Sequence, residues 1–179
     1  RQFMPRQNVS GFKAAVSFAD KGQTSTADIT AVAVNYTTNV MGDAAVRLGV
    51  MQESMSKSGS AAKEKRDEFG LEVTNGPLLM SAIKMNRKAG NDKKNATEFE
   101  IAFDATDDIV LNMIHLNGKV DGGDHSGDKF KSTLLGAAYT VAPGLIVGVA
   151  HKRFDATDGN TADADSDGNE TRFQVRVNF

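Results

Sequence analysis

Apolar and polar residues alternate without interruption over the last nine residues of the chain. Four apolar side chains take one set of alternate positions: Phe173, Val175, Val177 and Phe179. Four polar side chains fall between them: Arg172, Gln174, Arg176 and Asn178. Successive side chains of a β-strand point to opposite faces. Two arginines facing a sandwich core would be costly to bury, whereas a wall between lipid and water suits both stripes. The pattern predicts the closing strand of a transmembrane β-barrel.

The same alternation predicts about ten strands in the whole chain. They fall near residues 11–19, 28–38, 44–54, 68–74, 77–88, 97–105, 109–119, 129–141, 145–155 and 170–179. Most are close to the roughly 9–11 residues that a tilted barrel strand needs to cross a bilayer. Only residues 60–68, rich in Ala, Lys and Glu, are expected to form a short helical turn within a loop.

The predicted connections alternate in length. Short turns, rich in Gly, Pro, Asn and Asp, are expected at 39–43, 74–77, 105–108 and 141–144. Longer polar loops are expected at 20–27, 56–67, 88–96, 121–128 and 155–169. An antiparallel up-and-down order places every second connection at the same end, which gives one short-looped end and one long-looped end. Outer-membrane barrels have this asymmetry.

The faces of most predicted strands can be assigned from the sequence. Phe99, Ile101 and Phe103 alternate with Glu98, Glu100 and Asp104, which gives one apolar and one charged face. The strands at 109–119 and 129–141 stay ambiguous, because apolar residues such as those at 113–114 and 134–135 fall on both faces.

Composition narrows the class of protein. The 179 residues carry a net charge of −2, which argues against nucleic acid as the main partner. No run approaches the roughly 20 apolar residues of a transmembrane helix, so a membrane role requires a barrel. The sequence contains no cysteine, which excludes thiol chemistry. Aromatic residues make up only 7% and tryptophan is absent, which counts against a barrel with full aromatic girdles.

Catalysis and cofactor binding have no support in the sequence. His115, His125 and His151 are scattered, and no catalytic triad, P-loop or dinucleotide motif is present. We therefore expect no enzyme activity, no cofactor and no metal. One weak candidate for calcium is the acidic segment with Asp163, Asp165 and Asp167. Its twelfth position is Gln174 rather than a bidentate glutamate, which favours a solvated acidic loop.

Several segments together resemble a known family. The sequence resembles Gram-negative outer-membrane general porins of the α-proteobacterial type in five places. These are residues 1–6 (RQFMPR), residues 11–20 (GFKAAVSFAD), the hairpin at 136–145 (GAAYTVAPGL), Phe154-Asp155 before an acidic loop, and the terminal Phe179. The resemblance implies a homotrimer in the cell outer membrane. Each subunit would be a barrel of about sixteen strands, forming a water-filled channel for passive diffusion of small hydrophilic solutes and ions.

The resemblance also bears on assembly and on the extent of the chain. It implies that the barrel-assembly machinery recognises the last strand through Phe173, Val175, Val177 and Phe179. Because only about ten strands are predicted, residues 1–179 are expected to be a single β-barrel domain that forms the carboxyl-terminal portion of a larger barrel. No constriction-loop residues can be carried over from the family to this sequence.

A barrel of this kind predicts a set of pore-lining side chains on the polar stripe. The candidates are Arg47, Glu53, Glu72, Lys84, Glu98, Glu100, Asp104, Arg172 and Arg176. Outer-membrane lipid and lipopolysaccharide are the expected surroundings, and the basic run Lys63, Lys65 and Arg66 is a hypothetical lipopolysaccharide contact, with a solvated loop as its alternative. Two other proteins fit the pattern: a complete ten-stranded barrel acting as adhesin or enzyme, and a soluble lipocalin-like binding protein with a dry interior.

Overall fold

The computed structural model describes residues 11–19, 27–42, 44–57, 63–123, 125–159 and 165–177. Within these ranges the regular structure is entirely β-strand. No helix in this part of the chain is long and apolar enough to span a membrane.

Ten strands follow one another in a single antiparallel sheet. They are β1 Gly11–Ala19, β2 Ala27–Met41, β3 Ala44–Lys57, β4 Glu64–Asn75, β5 Leu78–Ala89, β6 Asp92–Asp104, β7 Ile109–Asp121, β8 Lys129–Ala142, β9 Leu145–Thr157 and β10 Ser166–Val177. Each strand pairs with its neighbours in chain order, from β1 at one edge to β10 at the other. The fold is therefore an all-β, antiparallel up-and-down barrel sheet, as the alternation predicts.

The register joins the apolar stripes of the strands into one continuous band. Ile101 of β6 lies beside Met80 of β5 and Met113 of β7. We call the face with this band the outer face. Its side chains stay exposed: Phe99 at 51% and Phe173 at 84% of their surface. The band is therefore not the core of this sheet.

The opposite face, which we call the inner face, is more shielded than the outer face. Along β6 the side chains of Glu98 and Glu100 are half-buried, while the apolar side chains between them are exposed. The only buried hydrophobic residues among those described are Ala45 and Ala102. A lipocalin-like protein encloses a dry ligand cavity, which the apolar stripe would have to line. Here the charged residues Glu98 and Glu100 lie on the inner face and the apolar stripe is exposed outside, which argues against that alternative.

The two ambiguous strands carry apolar residues on both faces. Met113 of β7 pairs with Leu135 of β8 on the outer face. The adjacent residues Ile114 and Leu134 pair on the inner face. The sequence leaves these strands unassigned because apolar residues occupy both faces, and alternation then carries no signal.

The structure corrects two predictions about the loops. Residues 64–68, expected in a helical turn, belong to β4, and the long loop expected at 88–96 is a tight hairpin. Only Gly90 and Asn91 separate β5 from β6, with Gly90 at a φ of 61° that glycine adopts without strain. The strands extend beyond their apolar stripes into charged residues on both faces, where alternation of hydrophobicity no longer marks a strand.

Candidate functional site: the inner face of the sheet

The register gathers most of the predicted polar stripe on the inner face. Arg47 of β3 lies opposite Glu72 of β4, and Glu72 lies opposite Ser81, which in turn pairs with Glu100 of β6. The candidates that share this face are Arg47, Glu53, Glu72, Glu98, Glu100, Asp104, Arg172 and Arg176.

Lys84 is an exception, and its inward assignment is wrong. It pairs with Phe69 of β4 and Thr97 of β6, both of which lie on the outer face. Its side chain is exposed. The sequence misleads here because β5 carries small or apolar residues such as Ser81 and Ile83 on the inner face, so neither stripe of this strand is clearly polar.

A cluster of charged residues lies near the long-loop end of β3 to β6. Arg66, Arg87 and Lys94 are direct neighbours across β4, β5 and β6. Arg87 forms an ion pair with Glu64, with Nε 2.5 Å from Oε1. Arg66 forms another with Glu68 on its own strand.

This cluster surrounds a cavity of about 410 Å³. Its lining is mostly charged: Glu53, Glu64, Arg66, Arg87 and Lys94, together with Met85 and Ala96. The hydrophobic pattern of the sequence predicts loops at Glu64, Arg66 and Lys94, and it predicts no role for Arg87. Charged residues occupy alternate positions at Glu64, Arg66 and Glu68. This alternation of charge, rather than of hydrophobicity, indicates that the strand extends to these residues and that they share one face.

Basic residues dominate the inner face at the other edge of the sheet. Arg172 of β10 pairs with Glu170 on the same strand, with Nε 2.5 Å from Oε1. The Lys152 ammonium lies 5.9 Å from the ring centres of both Phe130 and Phe154. By contrast, acidic side chains outnumber basic ones on the inner face of β3 to β6. The inner face is therefore more acidic towards β3 to β6 and more basic towards β9 and β10.

An apolar area separates these two charged regions. Ile114 and Leu134 pair at its centre, and Leu116 lies beside Ser132. Phe130 and Phe154 extend it towards the long-loop end. The described part of β7 and β8 carries no charged side chain on this face.

Within the part of the chain that the structure describes, the remaining candidate residues do not form a chemical site. Phe173, Val175 and Val177 lie on the outer face, while Phe179 and Asp163 fall outside the described residues. The carboxylate of Asp165 accepts a hydrogen bond from the backbone N–H of Asp158 at 2.9 Å. Asp167 lies on the outer face opposite Asp155. Among the described residues, no three His, Asp or Glu side chains converge to hold a metal ion.

Solved structures that share this fold include outer-membrane proteins. OmpT of Vibrio cholerae is 15% identical with a TM-score of 0.66, over 94% of this chain and 61% of that chain. A double variant of OccD1 (OprD) is 11% identical with a TM-score of 0.74, over 93% of this chain and 55% of that chain. The anion-selective porin of Comamonas acidovorans is 17% identical with a TM-score of 0.62, over 96% of this chain and 55% of that chain. This chain thus spans little more than half the length of these proteins. No protein-family model and no curated protein matches the sequence.

Proposed function

We propose that this chain forms part of an outer-membrane porin, a water-filled channel for passive diffusion of small hydrophilic solutes and ions. The observation that carries the proposal is the segregation of the two faces: exposed apolar side chains such as Ile101 outside, and charged side chains such as Glu100 inside. A wall of this kind suits lipid on one side and water on the other. The channel has no catalytic turnover and no cofactor.

The charged side chains of the inner face line the pore in this proposal and set its electric field. The acidic region with Glu72, Glu98 and Glu100 and the basic region with Arg172 and Arg176 lie on separated strands. Fixed charges in a narrow aqueous pore raise or lower local ion concentrations, so ion preference depends on the balance of the two regions.

The assembly follows from the same proposal. The ten strands would be the carboxyl-terminal part of a barrel of about sixteen strands. This view is supported by β1 and β10, each of which pairs on one side only within the described residues. A trimer form of OmpT is known among the solved structures of the same fold. We propose a homotrimer in the outer membrane of a Gram-negative bacterium, surrounded by lipid and lipopolysaccharide. The outward stripe with Phe173 and Val175 would serve as the signal for the barrel-assembly machinery.

Conductance of single channels in planar lipid bilayers tests the proposed function. Native protein purified in detergent is expected to insert and give stable steps of conductance that scale with salt concentration. A folded, pure protein that gives no such steps would exclude the channel.

The complete ten-stranded adhesin or enzyme is the alternative. It requires β1 to pair with β10, so a disulfide engineered between those two strands would form only in that protein.

A further inference from the structure

An open cavity of about 550 Å³ lies on the inner face near the long-loop end of β6 to β9. One row of directly paired residues forms its floor: Ala96, Gly118, Phe130 and Ala156. Because the other three residues carry at most a methyl group, Phe130 is the one large side chain of this row. The volume falls within the roughly 300–1,000 Å³ that is usual for small-molecule sites.

The floor of this cavity has space beside Phe130. A Cβ added at Gly118 would meet its nearest atoms at 3.6 to 3.9 Å, which are ordinary contact distances. Val120, two residues further along β7, adds an apolar side chain to the lining. The described chain therefore leaves room for a flat apolar group against Phe130, and a bulky residue at position 118 would occupy that room.

Two loops close the cavity on the long-loop side. A Cβ added at Gly159, just after β9, would lie 2.5 Å from the Cα of Gly127 in the connection between β7 and β8, so the two loops touch. The backbone N–H of Gly159 donates a hydrogen bond to Oδ1 of Asp128 at 2.9 Å, and His125 Nδ1 lies 3.3 Å from Oδ2. Both oxygens of this lining carboxylate thus have partners within the loops, which reduces its repulsion of an anion.

A lysine lies on each side of the apolar floor. Lys94 of β6 lines the cavity directly. The ammonium of Lys152 on β9 lies 5.9 Å from the ring centre of Phe130. Neither lysine forms an ion pair with the residues that the structure describes, and Glu170, the register partner of Lys152, binds Arg172 instead. The cavity therefore combines an apolar floor with positive charge at both sides.

We propose that this cavity binds small aromatic carboxylates as they pass through the channel. The ring would lie against Phe130, and the carboxylate would contact the ammonium of Lys94. The two lysines favour an anion, and the apolar row favours a hydrocarbon ring, since alanine, glycine and phenylalanine side chains offer no hydrogen bonds to the hydroxyl groups of a sugar. The inference rests on the proposed channel and adds a preferred class of solute to it.

Single-channel recording of the native protein in potassium chloride tests this preference, with benzoate added on one side. Acetate has the same charge without the ring, and benzamide has the ring without the charge. Three variants alter the cavity: Gly118→Leu fills it, Phe130→Ser removes its aromatic ring, and Lys94→Gln removes its charge. Lys13→Gln removes an inner-face lysine on β1, far from the cavity, and serves as the matched control.

Benzoate is expected to interrupt the wild-type current more strongly than acetate or benzamide at equal concentration. Its apparent affinity should fall by about fivefold in Lys94→Gln and by about tenfold in Phe130→Ser. Gly118→Leu should abolish the interruptions, and Lys13→Gln should keep them. Acetate or benzamide acting as strongly as benzoate would overturn the proposal. Wild-type behaviour of Gly118→Leu would overturn it too, and is the result expected if another segment of the protein covers the cavity.

Calorimetric titration of benzoate into the protein in detergent separates this inference from the proposed channel. Benzoate binding by a protein that gives no conductance would refute the channel and leave the binding site in place. Conductance by a protein that does not bind benzoate would refute the binding site alone. Ala96→Leu fills the same space from β6 and replaces Gly118→Leu if that variant folds poorly.

Discussion

Arg87 of β5 binds Glu64 of β4 through both oxygens of its carboxylate. Arg87 Nε lies 2.5 Å from Oε1, and Nη2 donates a hydrogen bond to Oε2 at 2.9 Å. The Glu64 side chain is only 10% exposed, whereas that of Arg87 is 50% exposed. A paired guanidinium and carboxylate in this geometry hold one another in place. Their charges largely cancel at the wall of the charged cavity.

Replacement of Glu64 by glutamine should therefore unmask the charge of Arg87 within the pore. The reversal potential in a potassium chloride gradient is expected to shift towards chloride, because one net positive charge is added to the wall. Stability should fall by less than about 1 kcal/mol, since Arg87 stays in contact with water. Glu64→Asp keeps the charge and serves as the control. An unchanged reversal potential in Glu64→Gln would show that this pair lies away from the ion path.

Adjacent residues on β6 should respond in opposite ways to the same substitution. Ile101→Lys places an ammonium in the centre of the outer apolar band and is expected to destabilise the barrel by about 2–4 kcal/mol. Glu100→Lys places it on the inner face, where stability should change little while ion selectivity moves towards anions. Urea unfolding of protein in lipid vesicles measures the first effect. Equal destabilisation by both substitutions would contradict the assignment of the two faces.

Turn glycines should matter where the backbone is left-handed. Gly76 connects β4 to β5 at a φ of 53°, so Gly76→Ala is expected to cost about 1–2 kcal/mol. Gly70 within β4 is the control, because an added Cβ would meet its nearest atoms at 3.9 and 4.0 Å, ordinary contact distances. The midpoint of urea unfolding compares the two variants. If Gly70→Ala proves less stable than Gly76→Ala, the space available to a side chain, rather than the geometry of the turn, determines the stability of this hairpin.

The alternation of hydrophobicity was sufficient to predict the number, order and direction of the strands. It works where one face is apolar and the other polar, as along Phe99, Glu100 and Ile101. It fails in two places for physical reasons. Beyond the apolar band both faces are polar, so β4 and β6 begin earlier than predicted. In β7 and β8 both faces are apolar, so Ile114 and Leu134 gave no sign of facing inwards.

The inner-face residues were only partly predictable for the same reason. The sequence alone predicts the inward orientation of four residues, because each alternates with strongly apolar residues. They are Arg172, Arg176, Glu98 and Glu100. Lys84 has weakly polar or apolar neighbours on both sides, and only the register with Phe69 and Thr97 places it outside. The pair of Arg87 with Glu64 joins residues 23 positions apart, a relationship that depends on the strand register.

Accessibility of single cysteines gives the most direct check of the facing of the strands. The sequence has no cysteine, so each introduced thiol is the only reactive group of its kind in this chain. Glu98→Cys and Glu100→Cys are expected to react rapidly with a charged, membrane-impermeant thiol reagent in lipid vesicles, because the inner face meets water. Phe99→Cys and Ile101→Cys are expected to react slowly there, yet all four should react alike once the protein is unfolded in denaturant. Fast labelling at 99 and 101 together with protection at 98 and 100 would reverse the two faces and refute the channel.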